Sequence, residues 1–323
     1  MKRALLLLNS ATGLLYAAED KWELNNVFTL YGDYACFRRE LALKHGLVID
    51  SSKSDCNCQF QRCTTKEIVH RFGFESGFKV GSTYMTHHTV WDVFYLWLPP
   101  WHAHCDKESS TGSLIFSVKH PDMTEDFDGA DRGRAEYTSQ FQNTELDFYR
   151  YSAPRHGDIF AAAWMVGLRY MSVRESVDIA LTKGSNTSSY KVHTENHIPA
   201  VQVGGLIGWN PTRQISWDMV VKVGVGFDWG EQKTRLGDLN NTVVVRDYEK
   251  SGFSTPLVAE AGITLSYQPT SFLDLHVAYQ AIYLNGVALA PDQLVKKRGG
   301  EHVYRAIGAE LIHGVTAGIG WSF

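Results

Sequence analysis

Apolar and polar residues alternate with a period of two along most of the chain. That is the spacing of a β-strand whose successive side chains point to opposite faces. The cleanest run is 215–229. Ile215, Trp217, Met219, Val221, Val223, Val225, Phe227 and Trp229 share one parity, with Asp218, Lys222, Gly224, Gly226 and Asp228 on the other. The same alternation predicts strands over 27–38, 71–85, 89–98, 143–151, 160–173, 189–209, 253–267 and 273–283. The last ten residues complete the set: Val315, Ala317, Ile319, Trp321 and Phe323 alternate with Gly314, Thr316, Gly318, Gly320 and Ser322.

Ten runs result, each with the ~10 alternating residues that a tilted membrane-spanning strand needs. One parity is greasy and ends in Trp or Tyr; the other carries glycine and charge. Connections alternate too. Short ones fall at 86–88, 153–158, 210–213 and 268–271, and long ones at 39–68, 99–141 (with room for a short strand at 113–118), 176–187, 230–252 and 285–305. The pattern predicts an all-β chain: a transmembrane antiparallel up-and-down β-barrel of about ten strands, with twelve as the alternative count. Short periplasmic turns lie on the side of both termini and long loops outside the cell. A soluble β-sandwich is the alternative, but its outer face would need to be polar.

Composition changes this picture little. The chain has 323 residues, 44% hydrophobic and 12% aromatic, with a formal net charge of -4. One barrel can use all of it, and a near-neutral balance excludes a nucleic-acid partner. No apolar run reaches the ~18 residues of a membrane-spanning helix. The N-terminus has Lys2-Arg3, an apolar stretch from Ala4 to Leu8, and small residues at Ala17 and Ala18. This reads as a signal peptide over 1–18, with the outer-membrane barrel in 19–323.

Segments 27–39 (VFTLYGDYACFRR), 77–98 (GFKVGSTYMTHHTVWDVFYLWL), 146–151 (LDFYRY) and 165–175 (MVGLRYMSVRE) resemble the Legionella-type major-outer-membrane-protein-like family and its chlamydial relatives. Segment 266–293 is similar to a planctomycete family of outer-membrane barrels. The chain departs from the first family at Thr89-Val90-Trp91-Asp92, where a Gly-Trp-Asp turn is usual, and in its cysteines. The resemblance implies a pore-forming or surface-structural outer-membrane protein without a cofactor.

The inward parity collects Asp33, Arg71, Glu75, Lys79, Asp92, Glu145, Asp147, Arg169, Asp218, Lys222, Asp228, Glu260 and Asp274. In a barrel this narrow they form either a paired network that fills the lumen or a path for small solutes and ions. His193, Glu195 and His197, with Asp228 on the next strand, raise the thought of a barrel protease. Both histidines take the lipid-side parity, so no enzyme is expected. Cys36, Cys56, Cys58, Cys63 and Cys105 gather at the outer end of the first strand and in the first two long loops. There they predict disulfide staples with one thiol left over. His102 and His104 beside Cys105 match no zinc spacing, so no metal is expected. Trp321 and Phe323 form the terminal signal for the barrel-assembly machinery. The function expected is a narrow, porin-like pore or a structural surface protein, in contact with outer-membrane lipid and small solutes or ions. The alternative is an adhesin or receptor acting through cysteine-stapled loops, and after it the barrel protease.

Overall fold

The computed structural model describes residues 27–40, 46–54, 60–86, 88–116, 128–152, 159–212, 214–238, 240, 242–294 and 304–323. The expected signal peptide, the turn at 153–158, Cys56 and Cys58 fall outside these. In chain order the strands are β1 (Val27–Glu40), β2 (Gly46–Ser54), β3 (Phe60–Thr64), β4 (Glu75–Thr86), β5 (Thr89–Trp97), β6 (Trp101–Glu108), β7 (Leu114–Phe116), β8 (Asp128–Ala130), β9 (Arg132–Tyr151), β10 (Phe160–Lys183), β11 (Asn186–Trp209), β12 (Ile215–Gly226), β13 (Asp228–Asp238), β14 (Val243–Ser254), β15 (Leu257–Tyr267), β16 (Leu273–Val287) and β17 (Gly308–Ser322). A single helix turn and a half, α1 (Thr65–His70), joins β3 to β4.

Ten strands pair antiparallel in a closed ring: β1, β4, β5, β9, β10, β11, β12, β15, β16, β17 and back to β1. These are the ten runs read from the sequence. Closure runs from Thr29 opposite Ser322 to Glu40 opposite Leu311, and the Phe323 amide donates to the Phe28 carbonyl at 2.9 Å. A closed ring leaves no strand edge bare, which hydrocarbon would penalise by several kcal/mol per unpaired backbone group.

β10 shows how the wall is divided. In its first half Trp164, Val166, Leu168 and Tyr170 face outward, while Ala161, Ala163, Gly167 and Arg169 face the axis. Beyond Tyr170 the assignment reverses. Ser172, Arg174, Ser176 and Asp178 now hold the outward parity, and Met171, Val173, Val177, Ile179 and Leu181 are buried inside. β11 reverses at the same height: Lys191, His193, Glu195 and His197 lie outward above Val201, Val203 and Ile207. Val201, Ile207 and Ile319 are 60–63% exposed, apolar surface that only lipid would cover. From Phe160 to Tyr170 the strand climbs ten residues, about 34 Å along its axis and about 24 Å at a barrel's ~45° tilt, close to the height of an apolar membrane band.

Aromatic pairs mark both edges of that band. At the lower edge Trp91 meets Phe148 at 4.8 Å, Phe272 meets Trp321 at 4.7 Å, and Phe28 stacks on Phe323. At the upper edge the Tyr170 hydroxyl bonds His197 Nδ1 at 2.7 Å beside Trp229, and the Tyr279 hydroxyl bonds His313 Nδ1 at 3.0 Å.

The segments expected as long loops are largely strand. β10 and β11 continue unbroken to a tight turn at 184–185, and β13–β14 forms a second raised hairpin. β6 prolongs β5 past Pro99-Pro100, where two missing N–H donors interrupt the ladder. A four-stranded sheet, β3-β2-β7-β8, packs Leu47, Val48, Leu114 and Phe116 against Tyr137, Leu181 and Tyr190 at the upper end. Cys63 and Cys105 form a disulfide that ties β3 to β6, while Cys36 is a free, half-buried thiol on the outward parity, not a staple.

Arg71 corrects the reading of 71–74 as strand. Thr64 and Glu67 make a capping box that starts α1, the helix ends at Arg71, and the exposed guanidinium donates to the His104 carbonyl at 2.7 Å. It is not in the lumen. Glu75 sits half-buried at the upper start of β4, opposite Phe37.

Candidate functional site: the barrel lumen

Within the membrane band the described inward side chains include seven carboxylates: Asp33, Asp92, Glu145, Asp147, Asp218, Glu260 and Asp274. Against them stand Lys79, Arg169, Lys222 and the His276 ring. Lys222 Nζ reaches Glu145 and Asp147, each at 2.7 Å, and Glu260 at 3.6 Å. Arg169 bridges Glu145 and Glu260. Gln202 donates to Glu145 at 2.9 Å and to Asp147 at 2.6 Å, and Asn143 donates to Glu145. Lower down, His276 Nε2 lies 2.8 Å from Asp33 and Nδ1 3.0 Å from Asp274. Two carboxylates on the two ring nitrogens call for a hydrogen on each, the imidazolium form. Lys79 Nζ stands 4.3 Å above the Phe94 ring, and the Tyr31 hydroxyl donates to Asp92.

These cross-lumen contacts need bare backbone opposite them. A side chain at Gly81 would come within 2.5 Å of the Tyr31 ring, and one at Gly167 would overlap Asp147. Large inward residues therefore interdigitate with inward glycines. What remains is a cavity of about 110 Å³ between Tyr31, Asp92, Asp218 and Glu260, with room for several waters.

Above the band a second charged group sits in apolar surroundings. Arg39 Nε reaches Glu310 at 2.8 Å, its other nitrogens reach Glu175 and the Tyr137 hydroxyl, and Tyr137 donates to Glu175 at 2.8 Å. Burial pushes the Glu175 carboxyl up to about 7; Arg39 offsets this in part and Glu310 adds to it. Burial raises Glu310 as well, again opposed by Arg39. Glu175 also accepts the Ala290 amide at 2.9 Å, and Asn196 takes both the amide and the carbonyl of Ala288. Residues 287–294 are thereby held inside, with Val287, Leu289, Ala290 and Leu294 buried beside Ile282, Leu284 and Ile312.

Of the lumen residues predicted from sequence, Lys79, Arg169, Asp218, Lys222, Glu260 and Asp274 meet around the axis. Asp228 is buried above the band, accepting from Tyr304 at 3.2 Å and Ser254 at 3.3 Å. Tyr304 itself lies in a recess over Gly230 and Gly252, a cross-strand pair where any Cβ would strike its ring. The residues of the protease reading part company: His193 and His197 face outward and Asp228 inward. For a metal, the described residues offer one close group, Cys63, Glu67 and Cys105, whose two sulfurs are spent in the disulfide; His102 and His104 point to the opposite face. Arg39, Glu175 and Glu310 were missed because they sit just past the ends of the recognised runs.

A closed antiparallel ring, apolar outside and charged within, defines a transmembrane β-barrel. Among the described residues no helix is long and apolar enough to cross a membrane. No protein-family model matches the sequence, and no curated protein does. Solved structures with a similar outline include the translocator domain of the autotransporter NalP from Neisseria meningitidis, at 12% identity and a TM-score of 0.39, covering 93% of this chain and 90% of that one. The attachment invasion locus protein Ail of Yersinia pestis is 9% identical with a TM-score of 0.26, over 93% and 100%. A Pseudomonas aeruginosa FadL homologue is 7% identical with a TM-score of 0.24, over 92% and 90%.

Proposed function

We propose that the protein is a non-enzymatic, structural surface protein of the outer membrane, with the barrel as its anchor and the raised half as its outward-facing head. One observation carries this reading: the core above the band, from Phe37 through Phe141 and Ile179 to Leu289, is buried across the barrel's upper end. Solute would have to displace packed apolar side chains and the segment 287–294, so the porin-like alternative is the weaker one. The paired charges below are a filling that matches its own burial. Export, the surrounding outer-membrane lipid, recognition of Trp321 and Phe323 by the assembly machinery, and kinship with the Legionella-type family belong to the same proposal. Planar-bilayer recording of the refolded full-length protein tests it. The reading expects a silent membrane; discrete, reproducible openings would establish a pore instead.

A further inference from the structure

At the top of β16 the chain leaves the wall. A bulge between Asn285 and Val287 interrupts the β16–β17 ladder, and Gly286 takes φ +89°, a left-handed turn that favours glycine. The chain then runs inward, with Ala288, Leu289, Ala290 and Leu294 buried and a single 3-10 turn over Ala290–Gln293. Side chains hold this segment by its backbone. Asn196 accepts the Ala288 amide and donates to the Ala288 carbonyl, each at 3.0 Å, and Glu175 accepts the Ala290 amide at 2.9 Å. At the far end the Gln293 side chain accepts the Arg305 amide at 3.0 Å and donates to its carbonyl.

Of these anchors only Glu175 can change its charge. One of its oxygens takes the Ala290 amide; the other faces Arg39 from β1 and Tyr137 from β9, and Arg39 is shared with Glu310 from β17. β11 contributes the neutral Asn196, and the segment's own carboxylate, Asp292, lies beside Gly308. Among the described residues Arg39 is the one cation that touches either Glu175 or Glu310. With both carboxyls ionised, the group therefore holds a net negative charge in apolar surroundings, which is costly out of water. Ala290 sits against the carboxylate and is part of its cover. Withdrawing the segment would admit water to an ionised Glu175, so ionisation and withdrawal favour one another. Burial pushes the Glu175 carboxyl up to about 7, Arg39 opposing and Glu310 adding, so the covered state is favoured while Glu175 is protonated and loses ground as pH rises through that value. We propose that segment 288–294 is an internal strap, hinged at Gly286 and clasped by Glu175 and Asn196, that closes the barrel's upper end in acid and withdraws as the medium turns alkaline. Only the upper chamber opens, because the ion pairs of Lys222 and Arg169 still fill the band below.

The test is amide hydrogen exchange, read residue by residue by NMR on the refolded full-length protein in detergent micelles, at about pH 5.5 and pH 8.5 and corrected for intrinsic rates. Protection of the Ala288 and Ala290 amides should fall on the order of tenfold from the lower pH to the higher, and more steeply than at Val177 and Ile179 in the neighbouring wall. Glu175→Gln keeps an oxygen for the Ala290 amide and leaves no charge to titrate, so strap protection in it should be the same at both pH values. Should that variant fail to fold, Asn196→Ala gives the second readout: losing the Ala288 contacts should lower strap protection at both pH values and preserve the fall between them. Equal protection of Ala288 and Ala290 at both pH values in the native protein would overturn the strap. So would a fall of the same size at Val177 and Ile179, which would show the whole upper half loosening together. Exchange does not read conduction, so an overturned strap leaves the sealed barrel standing.

Discussion

The same strands build two opposite kinds of interior. Below Tyr170, β10 turns Trp164, Val166 and Leu168 outward and Arg169 inward; above it, Ser172, Arg174 and Asp178 are outward and Val173, Val177 and Ile179 inward. Backbone and hydrogen bonding do not change across that point. Only the solvent does, from hydrocarbon to water, and the parity of the side chains follows it. The lower half holds its centre by charge pairs matched across the axis, the upper half by apolar packing plus one ion cluster around Arg39. Each half would be unstable in the other's surroundings.

The largest break in this comparison comes from the closing strand, which serves both halves. Deleting 314–323 leaves β1 and β16 with bare edges in the band, and the account expects no heat-modifiable band on a gel and degradation instead of membrane insertion. Deleting Phe323 alone removes one backbone bond and the stack on Phe28, and should lower yield while keeping the band.

Next comes a matched pair of substitutions. Val221→Arg places charge on the lipid face near mid-band and should cost about 2–4 kcal/mol in a folding titration. Ile179→Ala, on the inward parity of the upper half, should cost about 2–5 kcal/mol by leaving a cavity. The reversal is sharpened by crossing them over. Asp178→Arg, outward above the band, should be tolerated within ~0.5 kcal/mol, and equal damage at 178 and 221 would refute it.

The smallest expected effect is on pH. The Glu175 and Glu310 carboxyls are raised in the folded state, so folding favours their protonated forms. The Glu175 contribution is complete below the ordinary carboxylate range and is lost as pH climbs from about 4.5 through about 7, and that of Glu310 falls in the same direction. The upper half should therefore be more stable at pH 5 than at pH 8, by on the order of 1–3 kcal/mol, and Glu310→Gln should flatten that slope. Amide exchange on Val177 and Ile179 reports it; protection that rises toward pH 8 after correction for intrinsic rates would contradict it.

The ten-strand ring was legible because residues such as those of 215–229 keep strict parity through the band, where lipid tolerates nothing polar. Past the band the outward residues become Arg174, Asp178, Lys191 and His193, which read as loop although the ladder continues. The Phe72–Phe74 spacing imitated a strand where a capped helix ends, which misplaced Arg71. Individual inward charges such as Lys222 and Glu260 could be read from parity. Which carboxylate each cation meets depends on the register of strands far apart in sequence, so the Arg39–Glu175–Glu310 group could not be read from local pattern. Nor could Cys63 pairing with Cys105, since five cysteines allow many connections.

The reversal itself is most directly tested by spin labels placed singly along the outward parity of β10, at 164, 166, 168, 174, 176 and 178, in lipid vesicles. Collision with oxygen should dominate at the first three and collision with a water-soluble nickel chelate at the last three, with the exchange falling between 170 and 172. A single character along all six positions would contradict the account, because one solvent would then bathe the whole strand.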